Sequence, residues 1–420
     1  MKKLFFIIYL LAISCSNNKD SDLVDIKSFL NQGEKINLNQ KKNTNDKDVG
    51  KIYKLSNIKY SNYLSWNQEF QNSKNLIKPS EILIGKRSKS VSMESNSFLI
   101  YNDQIISIDK RSKIKILSLD FKTIASKKIY DRNIYKNYNL DFKLIANKGN
   151  IYISDNLGNI HCLNLKTLKI VWKKNYGVPF RSNLKINKNS LFLINSNSKI
   201  FSINLDTGSL NWSFETASKK IKDSSSSYQI AIYNDKLFFT NDSSEIYCID
   251  LKSNNIAWSL VFRTDNYQEK PVLFKSSPIT VDDSGLLFVS SNYGTTYMID
   301  AKSGFVKWSS PFHFNNRFIV ANNYILNTYR DKLVVLNKSN GNVVFNKKIG
   351  AEKIRKQLNF KDILIGFERI YLFDTQGFIA AINTKDFNNF NIIKSSNGFH
   401  GFSIYKKNLF VRSDNLLVKF

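Results

Sequence analysis

The chain has 420 residues, 42% of them hydrophobic, which is enough for a large core and excludes an intrinsically disordered chain. Its formal charge is +28, but the lysines are spread along the whole length among much Asn, Ile and Ser, and no helix-turn-helix or zinc-finger spacing accompanies them. A nucleic-acid reading is therefore set aside; near a membrane, a basic surface of this kind suits anionic lipid or an acidic partner.

The first residues bear on the compartment. Lys2 and Lys3 precede the apolar run LFFIIYLLAIS, residues 4–14, which is short for a bilayer span. It ends in the small residue Ser14, directly before Cys15. This arrangement resembles a bacterial lipoprotein signal, in which the Cys is lipidated and becomes the mature N-terminus. Ala12 stands where such signals usually carry Leu, and Leu11 lies one place further back. An ordinary signal peptide or a short anchor is the alternative. The expected organisation is a signal peptide over 1–14, then a lipidated Cys15 and polar linker over 15–57. A single folded domain follows over 58–420.

From there a short pattern returns eight times. Its anchors are Ile116, Ile160, Ile200, Ile246, Thr296, Leu333, Ile379 and Leu417. An apolar residue follows each anchor at +3. Asn or Asp stands at +4 in the seven complete copies: Asp120, Asn164, Asn204, Asp250, Asp300, Asn337 and Asn383. Position +12 holds Trp172, Trp212, Trp258 and Trp308 in the best copies, Phe345 in another, and Lys128 and Asn391 in the weakest. Gly208, Gly304 and Gly341 occupy +8, where a tight turn needs positive φ. Each copy reads as strand, polar turn and strand with a large aromatic, with a further strand before it. Antiparallel units of this length, repeated, predict an all-β, eight-bladed β-propeller of four-stranded blades. The eighth copy runs out at Phe420, so an N-terminal strand is expected to close the last blade. The segment NYLSWNQEF, residues 62–70, with its spare Trp66, is the expected closing strand. A seven-bladed ring with an irregular first repeat is the rival.

Residues that carry chemistry are sparse. His161, His313 and His400 fall in different blades, and no pair has metal-ligand spacing. No HExxH, GxSxG or phosphate-cradling Gly loop occurs. Apart from Cys15, the cysteines are Cys162 and Cys248, both at +2; two buried, unpaired thiols are expected. The acidic +4 residues should bond the turn backbone rather than calcium, and each Trp should pack between adjacent blades. No metal, cofactor or catalytic residue is expected.

The copies SKIFSINLDTGSLNW, 198–212, and TTYMIDAKSGFVKW, 295–308, resemble the repeat of pyrroloquinoline-quinone-type propellers. Two outcomes lie within that superfamily. Quinoprotein dehydrogenases are longer, carry calcium ligands and often a vicinal Cys-Cys pair, and this chain has no such pair. The BamB family comprises propeller lipoproteins of the outer-membrane β-barrel assembly machinery, and 276–308 resembles it closely. That resemblance implies a non-catalytic scaffold, lipid-anchored at the periplasmic face of the outer membrane. Its partners would be the POTRA domains of the barrel-inserting subunit BamA and nascent outer-membrane proteins. The family binds through inter-blade loops, one with a Leu-x-Leu-Arg stretch. The matching loop here is SKKIKD, 218–223, where Ile221 and Lys222 keep the apolar–basic pair and Lys219 replaces the first Leu. A second family loop carries an Asp-x-Asp pair; here Leu273 and Lys275 stand in its place, so the acidic pair is lost. The partner-binding residues implied are Ile221, Lys222 and Lys275. A divergent quinone-dependent dehydrogenase, and an envelope propeller for another partner or cell-wall material, are the alternatives.

Overall fold

The computed structural model describes residues 49–50, 55, 57–85, 87–131, 134, 137–216, 228–262, 274–350 and 357–420. Eight antiparallel sheets form a ring, an eight-bladed propeller. The inner strands of blades 1 to 8 are Ser95–Tyr101, Phe142–Asn147, Lys185–Asn187, Ile230–Tyr233, Thr280–Val281, Ile319–Ala321, Phe360–Gly366 and Gly401–Tyr405. Every repeat anchor lies on the third strand of its blade; Ile200, for example, sits within Lys199–Asn204. These strands are buried on both faces because blades pack on either side, so they read as continuous apolar runs. The seven-bladed alternative is excluded.

The hairpin from third to outer strand forms as its sequence dictates. The +4 side chain caps the turn: Asn204 Oδ1 accepts the N–H of Asp206 at 2.9 Å and of Thr207 at 3.1 Å. Asp300 accepts from Lys302 at 3.1 Å and Ser303 at 2.9 Å. These carboxylates and amides form the turns. The +12 aromatic faces the following blade. Trp172 Nε1 donates to Leu205 O at 2.9 Å, Trp258 to Ala301 O at 3.2 Å and Trp308 to Lys338 O at 2.9 Å, always into the next blade's turn. The indole lies on that turn's +8 glycine. A Cβ at Gly208 would stand 2.5 Å from Trp172, and one at Gly341 2.6 Å from Trp308. In blade 1 the structure puts Ala125, paired with Ile116 before the bulge, where the other blades have Trp, and not Lys128 as the spacing suggested; the +8 residue in blade 2 is Leu168, buried at φ 53° and packed with Ala125 in one apolar cluster. At the three seams with glycine, Gly208, Gly304 and Gly341, the glycine leaves room for the indole across the interface as well as meeting its own positive φ, whereas the +8 residue after Trp212 is Asn254 at φ 58°.

One sequence expectation is corrected. The eighth blade is closed by Lys89–Ser92, paired with Leu416–Lys419, and not by residues 62–70. An outer edge strand is largely solvated, which suits Lys89, Ser90 and Ser92. Tyr63 and Trp66 are large apolar groups three residues apart, and the fold buries both. Further upstream, Val49–Gly50 adds a fifth strand to blade 6, pairing with Asn346 and Phe345.

Residues 61–84 instead form a plug across one mouth of the central channel. The plug binds near the inner-strand ends that lead to the second strands. Trp66 exchanges backbone bonds with Ile100 in blade 1, at 2.7 and 3.0 Å. Asn67 O takes the N–H of Ala146 in blade 2, Ser73 O that of Ile232 in blade 4, and Lys74 O that of Val281 in blade 5. Ser80 bonds Ile365 and Ile82 bonds Phe367 in blade 7, and Tyr63 bonds Lys406 in blade 8. The fully buried Asn75 donates to Ile230 O at 2.9 Å and Ile279 O at 2.8 Å. Blade 3 joins through a side chain, Lys185.

Candidate functional site

Lys185 begins the inner strand of blade 3 and is completely buried. Its Nζ donates to Gln68 Oε1 at 3.2 Å, Glu69 O at 3.2 Å and Asn72 O at 2.9 Å, all on the plug. Burial pushes its pKa down from 10.5 to about 7, against a smaller upward pull from Glu69. Between pH 7 and 10.5 the unfolded chain therefore holds a proton that the fold does not. This group penalises folding fully below pH 7, and the penalty fades as pH rises towards 10.5. Lys185→Met removes that dependence. In urea titrations from pH 7 to 10, wild type should gain stability relative to the variant by up to about 1.4 kcal/mol per pH unit. Parallel pH profiles would show that the buried amine does not titrate in this window.

The opposite mouth of the channel is open and encloses a cavity of about 270 Å3, floored by the plug through Trp66, Glu69, Phe70 and Ile77. Its walls are the starting ends of inner strands, including Phe98, Lys143, Lys361, Asp362 and Phe402, with Arg317 and Arg412 beside them. Arg317 is 2% exposed. Its Nη2 meets Asp362 Oδ1 at 2.9 Å and Ile363 O at 3.0 Å, and its guanidinium carbon lies 5.0 Å from the Phe402 ring centre. Arg412 donates to Ser95 O at 2.7 Å and His400 O at 3.2 Å. Burial pulls the pKa of Arg412 down to about 10, and burial with the Arg412 charge lowers that of Lys361. The cavity is lined by four cationic side chains against two carboxylates, with His400 held by Asp414 at 2.8 Å.

None of the histidines joins a constellation for catalysis. His161 is fully buried between blades 1 and 2, 3.0 Å from the Tyr130 hydroxyl, which also donates to Asp155. Burial and the Lys173 charge push its pKa down to about 4, so it stays neutral and structural. Cys162 and Cys248 are buried and unpaired, as expected. Among the described residues no group of three or more His, Cys, Asp or Glu is placed to hold a metal ion. The cationic donor set at the open mouth does not fit one either.

Of the sequence-predicted site residues, Cys15, Ile221 and Lys222 lie outside the described residues. Lys275 is described. It is exposed on the connection from blade 4 to blade 5, its N–H donating to Asn292 Oδ1 at 2.9 Å and its carbonyl accepting from Asn292 N at 3.0 Å. Lys275 is on the connection that leads into the start of an inner strand, the end at which the open cavity lies. Sequence reasoning missed the plug, Lys185 and the Arg317 cluster. The one signal for the plug was Trp66, an aromatic outside the repeat.

The ring and its self-plugged channel define an eight-bladed propeller. The chain belongs to the family described as outer membrane protein assembly factor BamB, whose profile matches residues 140–347 and 271–389, more than half of the chain. Among solved structures it is similar to BamB from Moraxella catarrhalis, with a TM-score of 0.66 at 13% identity, over 80% of this chain and 99% of that one. A europium-containing methanol dehydrogenase gives 0.61 at 11% identity, over 83% and 89% of the two chains. Sqt1 of Saccharomyces cerevisiae gives 0.61 at 10%, over 80% and 99%. At these identities the likenesses establish the fold alone. No curated protein matches in sequence.

Proposed function

We propose that this propeller is a non-catalytic scaffold of the outer-membrane β-barrel assembly machinery. It is anchored by a lipid on Cys15 at the periplasmic face and binds the POTRA domains of a BamA-like barrel protein. In this role it aids insertion of nascent outer-membrane proteins. The family match over the repeats carries the reading. The plug supports a binding role, because it closes one channel mouth with the chain's own residues and leaves the exposed connections as the contact surface. Within that reading, Ile221, Lys222 and Lys275 contact the partner, and residues 1–14 are a signal peptide followed by a linker that ends before the Val49–Gly50 strand.

The test is affinity capture of the tagged protein from mildly solubilised envelopes, read by mass spectrometry. Near-stoichiometric recovery of a POTRA-bearing barrel protein is expected. Lys222→Glu with Lys275→Glu should cut that recovery about a hundredfold, the scale of losing two charge-assisted contacts, with the melting temperature unchanged. Recovery of only some other envelope protein would reduce the assembly role to a likeness of fold. Cys15→Ala should release the folded propeller into the periplasmic fraction. Retention of that variant on membranes after a high-salt wash would refute the lipid anchor.

A further inference from the structure

Arg317 holds a charge in an unusual position. It is 2% exposed, yet only Nη2 is used within the protein; Nε and Nη1 are buried without a hydrogen-bond acceptor. Leaving guanidinium donors buried and unbonded is costly, and both belong to a side chain that lines the open cavity. The Asp362 carboxylate already neutralises this arginine through Nη2. Lys361 and Arg412 then add positive charge at the same mouth, and among the described residues neither has a carboxylate within ion-pair distance. Phe402 and Trp66 supply an apolar wall and floor beside the guanidinium.

We propose that the open mouth of the plugged channel is a binding site for an oxyanionic group, a carboxylate or phosphate carried by a small solute. Nε and Nη1 of Arg317 lie on different edges of the guanidinium and each keeps an unused N–H, so such a group takes a single charge-assisted bond from one of them. Lys361 and Arg412 flank the anion, and Phe402 and Trp66 face the rest of the ligand. The cavity of about 270 Å3 admits a small molecule and no folded chain. Anion binding also relieves the mutual repulsion that contributes to the lowered Lys361 pKa. None of the residues lining the cavity is among those assigned to partner binding, and the test does not depend on them.

Titration calorimetry of the folded protein at constant ionic strength, with sodium benzoate and with inorganic phosphate as probes, decides this. Saturable one-to-one binding of at least one probe is expected. Tighter benzoate binding assigns a carboxylate on an aromatic body, and tighter phosphate binding assigns a phosphate-bearing solute. Lys361→Gln, at an exposed position, should weaken binding about tenfold without moving the melting temperature. Arg317→Met should abolish it, and if that variant fails to fold, Lys361→Gln decides alone. Lys166→Gln, on an outer turn of blade 2, should leave affinity unchanged. The proposal is overturned if neither probe binds at millimolar concentration, or if Lys361→Gln binds as wild type does.

Discussion

Gly208→Ala should destabilise the propeller by about 2–5 kcal/mol, the sum of a left-handed backbone cost and overpacking. Gly208 has φ 69°, and its missing Cβ would stand 2.5 Å from the Trp172 ring of the preceding blade. That ring cannot yield easily. It is buried, its Nε1 is tied to Leu205 O at 2.9 Å, and Tyr152 packs on it at 6.0 Å between ring centres. Trp172→Ala alone should cost about 3–5 kcal/mol through the cavity it leaves. The double variant should lose less than the sum of the two, because the new methyl then occupies space the indole has vacated. Urea unfolding of the four proteins measures the coupling. Strict additivity would mean that the glycine answers only to its φ and that the inter-blade contact imposes nothing on it.

Trp66→Ala should destabilise by about 3–5 kcal/mol and release the plug as a unit. Trp66 is 3% exposed and meets Tyr63 and Phe402 with ring centres 5.6 and 5.8 Å away. It fixes the point at which the segment crosses blade 1, and the bonds to the other blades follow from that path. Hydrogen exchange gives the specific readout. The amides of Ala146, Ile232 and Val281 donate to plug carbonyls at 2.8, 2.8 and 3.0 Å, in three different blades. They should lose protection together in Trp66→Ala. Leu191→Ala, a core truncation in blade 3 away from the plug, should leave their relative protection intact. If both variants expose these amides equally, the plug is not a separate cooperative unit.

The two effects differ in how visible they are in the chain. Copies at intervals near 40 residues placed all eight third strands, because a blade is one local hairpin system whose register is fixed by its own turn. The +8 glycine and the +12 tryptophan meet across three seams, at Gly208 with Trp172, Gly304 with Trp258 and Gly341 with Trp308, so their spacing there is a direct record of the contact. At the seam of blades 1 and 2 the small Ala125 stands in the indole's place and Leu168 fills the space in place of glycine.

The sequence by itself therefore determined the blade and its aromatic seams, since these rest on contacts within a repeat or between neighbouring ones, while the structure decided eight blades over seven. Only the tertiary structure decided which N-terminal segment closes the ring and which one fills it. Both 62–70 and 89–92 precede the first blade, and their spacing to Phe420 does not distinguish them. Burial does: the edge position selects polar Lys89–Ser92, and the channel mouth, where seven of the eight blades bond the plug, selects Tyr63 and Trp66. The same holds for Arg317 and Lys185, one cation among many in a lysine-rich chain. Their partners lie about 45 residues away in one case and more than 110 in the other, so their function as buried charges exists only once the ring has closed.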